Sequence, residues 1–123
     1  MQSIRIEPIG EEHFSDLVAL FQEFATFQKA TDRMKNSLEQ MKSEKEHIRG
    51  FVAKNADDTI VGYATCFYAY YTWVGKSLYM DDLYVTPDYR GKGLGTLLLQ
   101  AIKKLAEEQN CKRLSWQVSD WNT

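Results

Sequence analysis

The chain has 123 residues, 44% of them hydrophobic, 13% aromatic and 26% charged, with a net charge of −2. That balance excludes a disordered chain, and without a basic field nucleic acid is not an expected partner. No apolar stretch reaches the ~18 residues of a membrane span, no signal-peptide pattern opens the chain, and Cys66 and Cys111 lack CxxC spacing, so a cytoplasmic soluble domain with buried free thiols is expected.

Residues 1–123 contain no repeat or linker and read as one domain. Ser3 to Glu7 alternates, with Ile4 and Ile6 on one face, and predicts a strand that Pro8 and Gly10 end. From Glu11 to about Lys29 the positions of Phe14, Leu17, Val18, Phe21 and Phe27 predict a helix with acids in its first turn. Thr31 to His47 predicts a second, shorter helix with a narrow stripe of Leu38 and Met41. After Gly50, "FVAK", the turn "NADD" and "TIVGYATCFYAYY" predict a hairpin, and "SLYMDDLYV" a third strand after a turn around Gly75.

Leu94 to Gln109 carries the strongest helical pattern, with Leu94, Leu97, Leu98, Ala101, Ile102 and Leu105 on one face and Asn110 as a stop. "RLSWQV" then alternates Leu114, Trp116 and Val118 as a last strand. The order β-α-α-β-β-β-α-β implies a mixed α/β fold: an antiparallel meander, then a helical crossover to a strand parallel to the one before it.

Two features point to chemistry. In "SLYMDDLYV" the apolar positions are Leu78 and Met80, then Leu83 and Val85, so the face slips by one residue at Asp81-Asp82. Such a slip marks a β-bulge, and two adjacent carboxylates there are costly in a sheet unless something uses them. "RGKGLGT" then lies between this strand and the strongest helix. Its glycines let successive N–H groups converge at a helix start, an anion cradle suited to phosphate, with Arg90 and Lys92 adding positive charge. It is not a P-loop, because no Lys-Ser/Thr follows the last glycine, and Thr96 spoils a dinucleotide fingerprint.

Arg90-Gly91-Lys92-Gly93-Leu94-Gly95 resembles the Q/R-x-x-G-x-G/A signature of the GNAT superfamily of acetyl-CoA-dependent N-acetyltransferases, and the element order is that fold's. "LYMDDLYVTPDYRGKGLG", "YYTWVGKSLY" and the terminal "DWN" look like the spermidine/spermine-type diamine acetyltransferases. The resemblance implies that Leu83, Tyr84 and Val85 pair with the pantetheine arm, that Arg90, Gly91, Lys92, Gly93, Leu94, Gly95 and Thr96 hold the pyrophosphate, and that Asn122 also contacts acetyl-CoA. It implies Asp81 as catalytic base, at a position where the diamine enzymes carry Glu, and Phe27, Gln28, Asp82, Trp116 and Gln117 as substrate contacts. Gln28 replaces a family Glu and removes a negative charge, so a lysine-like or smaller amine fits as well as a polyamine.

Only the free base of an alkylamine attacks a thioester, which is why a carboxylate at Asp81 is needed. No metal-ligand cluster is expected. His13 and His47 read as surface residues, and Trp116 and Trp121 as packing residues before substrate contacts. Relatives of this type continue past "WN" with further strands and a general-acid tyrosine, so the domain is expected to be incomplete at its C-terminus or completed by a partner subunit; a homodimer is expected. The competing expectations are a module that binds acetyl-CoA or CoA without turnover, and a fragment that serves assembly only.

Overall fold

The computed structural model describes residues 3–116. Its elements are β1 (Arg5–Pro8), α1 (Phe14–Phe27), α2 (Leu38–Ser43), β2 (Arg49–Lys54), β3 (Ile60–Tyr71), β4 (Gly75–Val85), α3 (Leu94–Glu108) and β5 (Leu114–Trp116), with short 3-10 turns between several of them. They form one sheet in the order β1-β2-β3-β4-β5. The first four strands pair antiparallel and β5 lies parallel to β4, as the meander and crossover required. Among the described residues no helix is long and apolar enough to cross a membrane.

The sheet is buried on both faces. Against α3 it packs Ala53, Val61, Ala64, Cys66, Leu78 and Met80 onto Leu94, Leu98, Ile102 and Ala106. The fully buried stripe of α3 is therefore the i, i+4 row, while Leu97, Ala101 and Leu105 lie at its half-buried flank. Leu98 and Ile102 are fully buried, each contributing roughly 1.5–3 kcal/mol by leaving water. On the other face Phe14, Leu17 and Leu20 of α1 and Met41 of α2 cover Val52, Tyr63 and Tyr84.

Two local expectations change. The second helix covers only six residues, Leu38–Ser43, started by the Ser37 hydroxyl accepting from the Gln40 N–H; the charged sequence on either side folds into 3-10 turns at Thr31–Arg33 and Lys45–His47. His13 is buried, not at the surface: its Nδ1 accepts the Gly10 N–H at 2.9 Å, and Nε2 lies 3.7 Å from Glu7. It closes the turn into α1 with Phe14 beside it in the core, a role hidden because no periodic pattern includes it.

Gly50 fixes the start of β2. Its φ is +149°, and a Cβ there would stand 2.0 Å from the Ala64 carbonyl oxygen, so only glycine lets β2 approach β3 at this point.

Candidate active site

The bulge is where the alternation placed it. Thr65 faces Asp82 and Cys66 faces Met80, leaving Asp81 as the extra residue of β4 without a partner on β3. The insertion keeps Leu78, Met80, Leu83 and Val85 all against the α3 side. Among the described residues the parallel pairing of β4 with β5 covers Leu78, Tyr79 and Met80, just before the bulge. Beyond Met80, at Leu83, Tyr84 and Val85, that edge of β4 has no strand partner among the described residues.

A cleft of about 1000 Å³ opens at this point, walled by the sheet on one side and by the end of α1 and the segment leading to α2 on the other. It brings together Gln28, Asp81, Asp82, Leu83 and Trp116, five of the residues singled out from sequence. Asp81 is exposed and Asp82 half-buried. Burial, and then the neighbouring charge of Asp81, push the Asp82 carboxyl up to about 6. Trp116 is 43% exposed and lines the cleft instead of packing into the core, and the stacked rings of Phe67 and Tyr79, 5.2 Å apart, form part of the same wall. Gln117 and Asn122, with Val118 and Trp121, lie outside the described residues.

Phe27 is 43% exposed and stands outside this cleft, with the Arg90 guanidinium 4.5 Å over its ring. Arg90 also donates from Nε to the Val85 carbonyl at 2.8 Å, and Lys92 lies over Tyr89. Both cations of the loop thus rest on aromatic rings, and the loop's inner surface is backbone. Gly91 and Gly93 take positive φ, +76° and +85°, and a Cβ on either, or on Gly95, would meet nothing within 4 Å. Gly93 is the N-cap of α3 and no side chain caps the helix there, so its first amides remain open to an anion. Leu94 buries its side chain in the core, and Thr96 is exposed.

The side chain of Tyr84 meets two α1 residues, Glu23 and Phe24, that no motif announced. The Tyr84 hydroxyl donates to Glu23, and its ring stacks on Phe24 at 4.9 Å. Burial, then the Glu23 contact, push Tyr84 up to about 12. Tyr63 is fully buried next to Tyr84 and its hydroxyl has no partner among the described residues. Burial first, and then the charge of Asp82, push it far up, so it stays a neutral phenol beside the acid pair. Cys66 is buried and Cys111 half-buried, both as free thiols, and burial pushes Cys66 up to about 11. No group of three or more His, Cys, Asp or Glu side chains able to hold a metal ion occurs among the described residues.

The profile of the Acetyltransferase (GNAT) family matches residues 14–123. A thialysine N-epsilon-acetyltransferase from Caenorhabditis elegans is 33% identical over 124 residues, covering 99% of this chain and 77% of the relative. A spermidine/spermine N(1)-acetyltransferase-like protein from Homo sapiens is 37% identical over 62 residues, 50% of this chain and 9% of that protein. Among solved structures, an integron cassette protein from the mobile metagenome of V. cholerae superimposes with a TM-score of 0.75 at 26% identity, over 98% of this chain and 78% of that one.

Proposed function

The chain belongs to the GNAT family of acetyltransferases, and from that premise we propose that it transfers an acetyl group from acetyl-CoA to a primary amine of a small molecule by direct attack. The observation that carries this reading is the run of residues 81–96: an acid pair lining the cleft at the β4 bulge, a strand edge unpaired among the described residues, and an uncapped helix start. The residues present fit acetyl-CoA, since the three glycines leave clear space at the first amides of α3 and the edge of β4 offers backbone groups for an amide-rich arm. When bound it supplies the thioester. Residues 1–123 are read as one acetyl-CoA-binding domain.

Asp81 and Asp82 hold the ammonium of the acceptor and take its proton. An alkylammonium is almost wholly protonated at neutral pH, so this transfer must precede attack. Asp81 is exposed at the bulge and is the group that receives the proton, directly or through water; Asp82 keeps the charge of the pair confined and orients the cation. Backbone N–H groups of the bulged strand polarise the acyl carbonyl. Phe27, Gln28, Trp116 and Gln117 contribute to the acceptor side, and Leu83 to Val85, Arg90 to Thr96 and Asn122 to the acetyl-CoA side. The names of the relatives, one for thialysine and one for spermidine and spermine, support an amine acceptor.

We also place the chain in the cytoplasm as a homodimer. The free thiols of Cys66 and Cys111 support the first reading, and the exposed Tyr70 and Trp73 on the β3–β4 arm support the second. A thiol-release assay with acetyl-CoA and a panel of amines tests the proposed activity. Release that appears only with an amine present, and fails in Asp81→Ala, is the expected result; full activity of that variant at neutral pH would remove Asp81 as the base.

A further inference from the structure

We infer that Arg90 is a positioning residue: its side chain clasps the end of α1 to the glycine loop and so sets the acceptor wall of the cleft, leaving the pyrophosphate to the loop's backbone. The inference rests on the acetyl-transfer reading for its effect on the amine, and stands apart from it for the clasp itself. Arg90 leaves the 3-10 turn Pro87–Tyr89 in extended conformation, directly before the left-handed Gly91. Its Nε donates to the carbonyl of Val85, the last residue of β4, at 2.8 Å. The same guanidinium lies 4.5 Å from the centroid of the Phe27 ring and 5.4 Å from that of Tyr84. One planar group therefore joins the end of β4, the start of the loop and the last residue of α1.

The contact continues along one side of α1. Glu23 and Phe27 are four residues apart and share a helix face; Glu23 accepts from the Tyr84 hydroxyl, and Phe27 lies under Arg90. Phe24 stacks on the Tyr84 ring at 4.9 Å. The last turn of α1 has no basic residue of its own, so Arg90 also brings a cation to the negative end of that helix. This turn is part of the cleft wall, since Phe24, Ala25 and Gln28 line the cavity together with Asp81 and Asp82. Releasing the clasp lets the wall shift against the acid pair, and a misplacement of about 1 Å can cost on the order of a hundredfold in rate. Lysine would carry the charge without the directed Nε–H bond and the planar stacking.

Arg90→Gln and Arg90→Lys separate a clasp from a phosphate ligand. With saturating acetyl-CoA and whichever of lysine, cadaverine or spermidine is turned over, kcat/KM for the amine should fall about tenfold or more in both variants, the effect of one charge-assisted hydrogen bond. CoA should bind both within about threefold of wild type in calorimetry. Phe27→Leu, which keeps an apolar side chain and removes the ring, should repeat the loss of kcat/KM, and Phe27→Leu with Arg90→Gln should lose no more than either alone. An unchanged kcat/KM in Arg90→Gln overturns the inference. So does a loss of CoA affinity of about tenfold that Arg90→Lys restores, because charge on the phosphates would then be what Arg90 supplies. If no amine supports thiol release, the transfer reading fails separately, and hydrogen exchange still decides the clasp. The amides at the end of α1, residues 24–28, should exchange about tenfold faster in Arg90→Gln than in wild type; equal exchange refutes it.

Discussion

Replacing Asp82 by asparagine should stabilise the protein, and only where the carboxyl is ionised. Folding raises this carboxyl from its ordinary 3.8 to about 6, first by burial and then by the charge of Asp81. The native state therefore holds this proton more tightly than the unfolded chain, and stability falls as pH rises from about 4 through about 6. At about 1.36 kcal/mol per pKa unit the full effect is roughly 3 kcal/mol. Asp82 is only half-buried, and solvent screening brings the expectation to about 1–2 kcal/mol. Urea unfolding of wild type and Asp82→Asn, followed by circular dichroism at pH 4 and pH 8, measures it. The variant should gain about 1–2 kcal/mol on wild type at pH 8 relative to its difference at pH 4. A relative gain of zero, or one of opposite sign, would show that burial does not hold the Asp82 proton and would remove the electrostatic basis for the acid pair.

Other outcomes follow from the same geometry. Gly93→Asp puts a side chain and a negative charge at a left-handed N-cap, and should weaken CoA binding by at least about tenfold through repulsion at the helix start; unchanged affinity in calorimetry would contradict a pyrophosphate cradle there. Gly50→Ala forces a Cβ into the Ala64 carbonyl and should cost about 3 kcal/mol or more in denaturant unfolding, whereas a loss below about 1 kcal/mol would show that β2 and β3 can separate without penalty. With a thiol reagent at pH 8, Cys111 should react well before Cys66, whose thiol is buried and pushed up to about 11. Equal rates would mean that the sheet opens readily at the cleft.

The sheet was legible because its signals are local and periodic. The one-residue slip at Asp81-Asp82 located the bulge, since leucine and methionine positions on either side of it must share the α3 face. Three glycines before a leucine stripe located the helix start. What escaped were contacts without periodicity. His13 looked like a polar residue in a charged turn, yet its ring fills the corner before α1. Trp116 alternates with Leu114 as if for a core, but among the described residues β5 is the edge of the sheet, and Trp116 lines the cleft. Glu23 belongs to no motif; it matters because α1 brings it to Tyr84.

The central claim is acetyl transfer to an amine, and product analysis tests it most directly. Purified protein is incubated with acetyl-CoA and lysine, thialysine, cadaverine or spermidine, and free CoA and N-acetylated amine are quantified together by mass spectrometry. Equal amounts of CoA and mono-acetylated amine from at least one acceptor, in amounts that exceed the enzyme many-fold, are predicted. Tight CoA binding with no acetylated product from any amine would contradict the account and leave a binding module in its place.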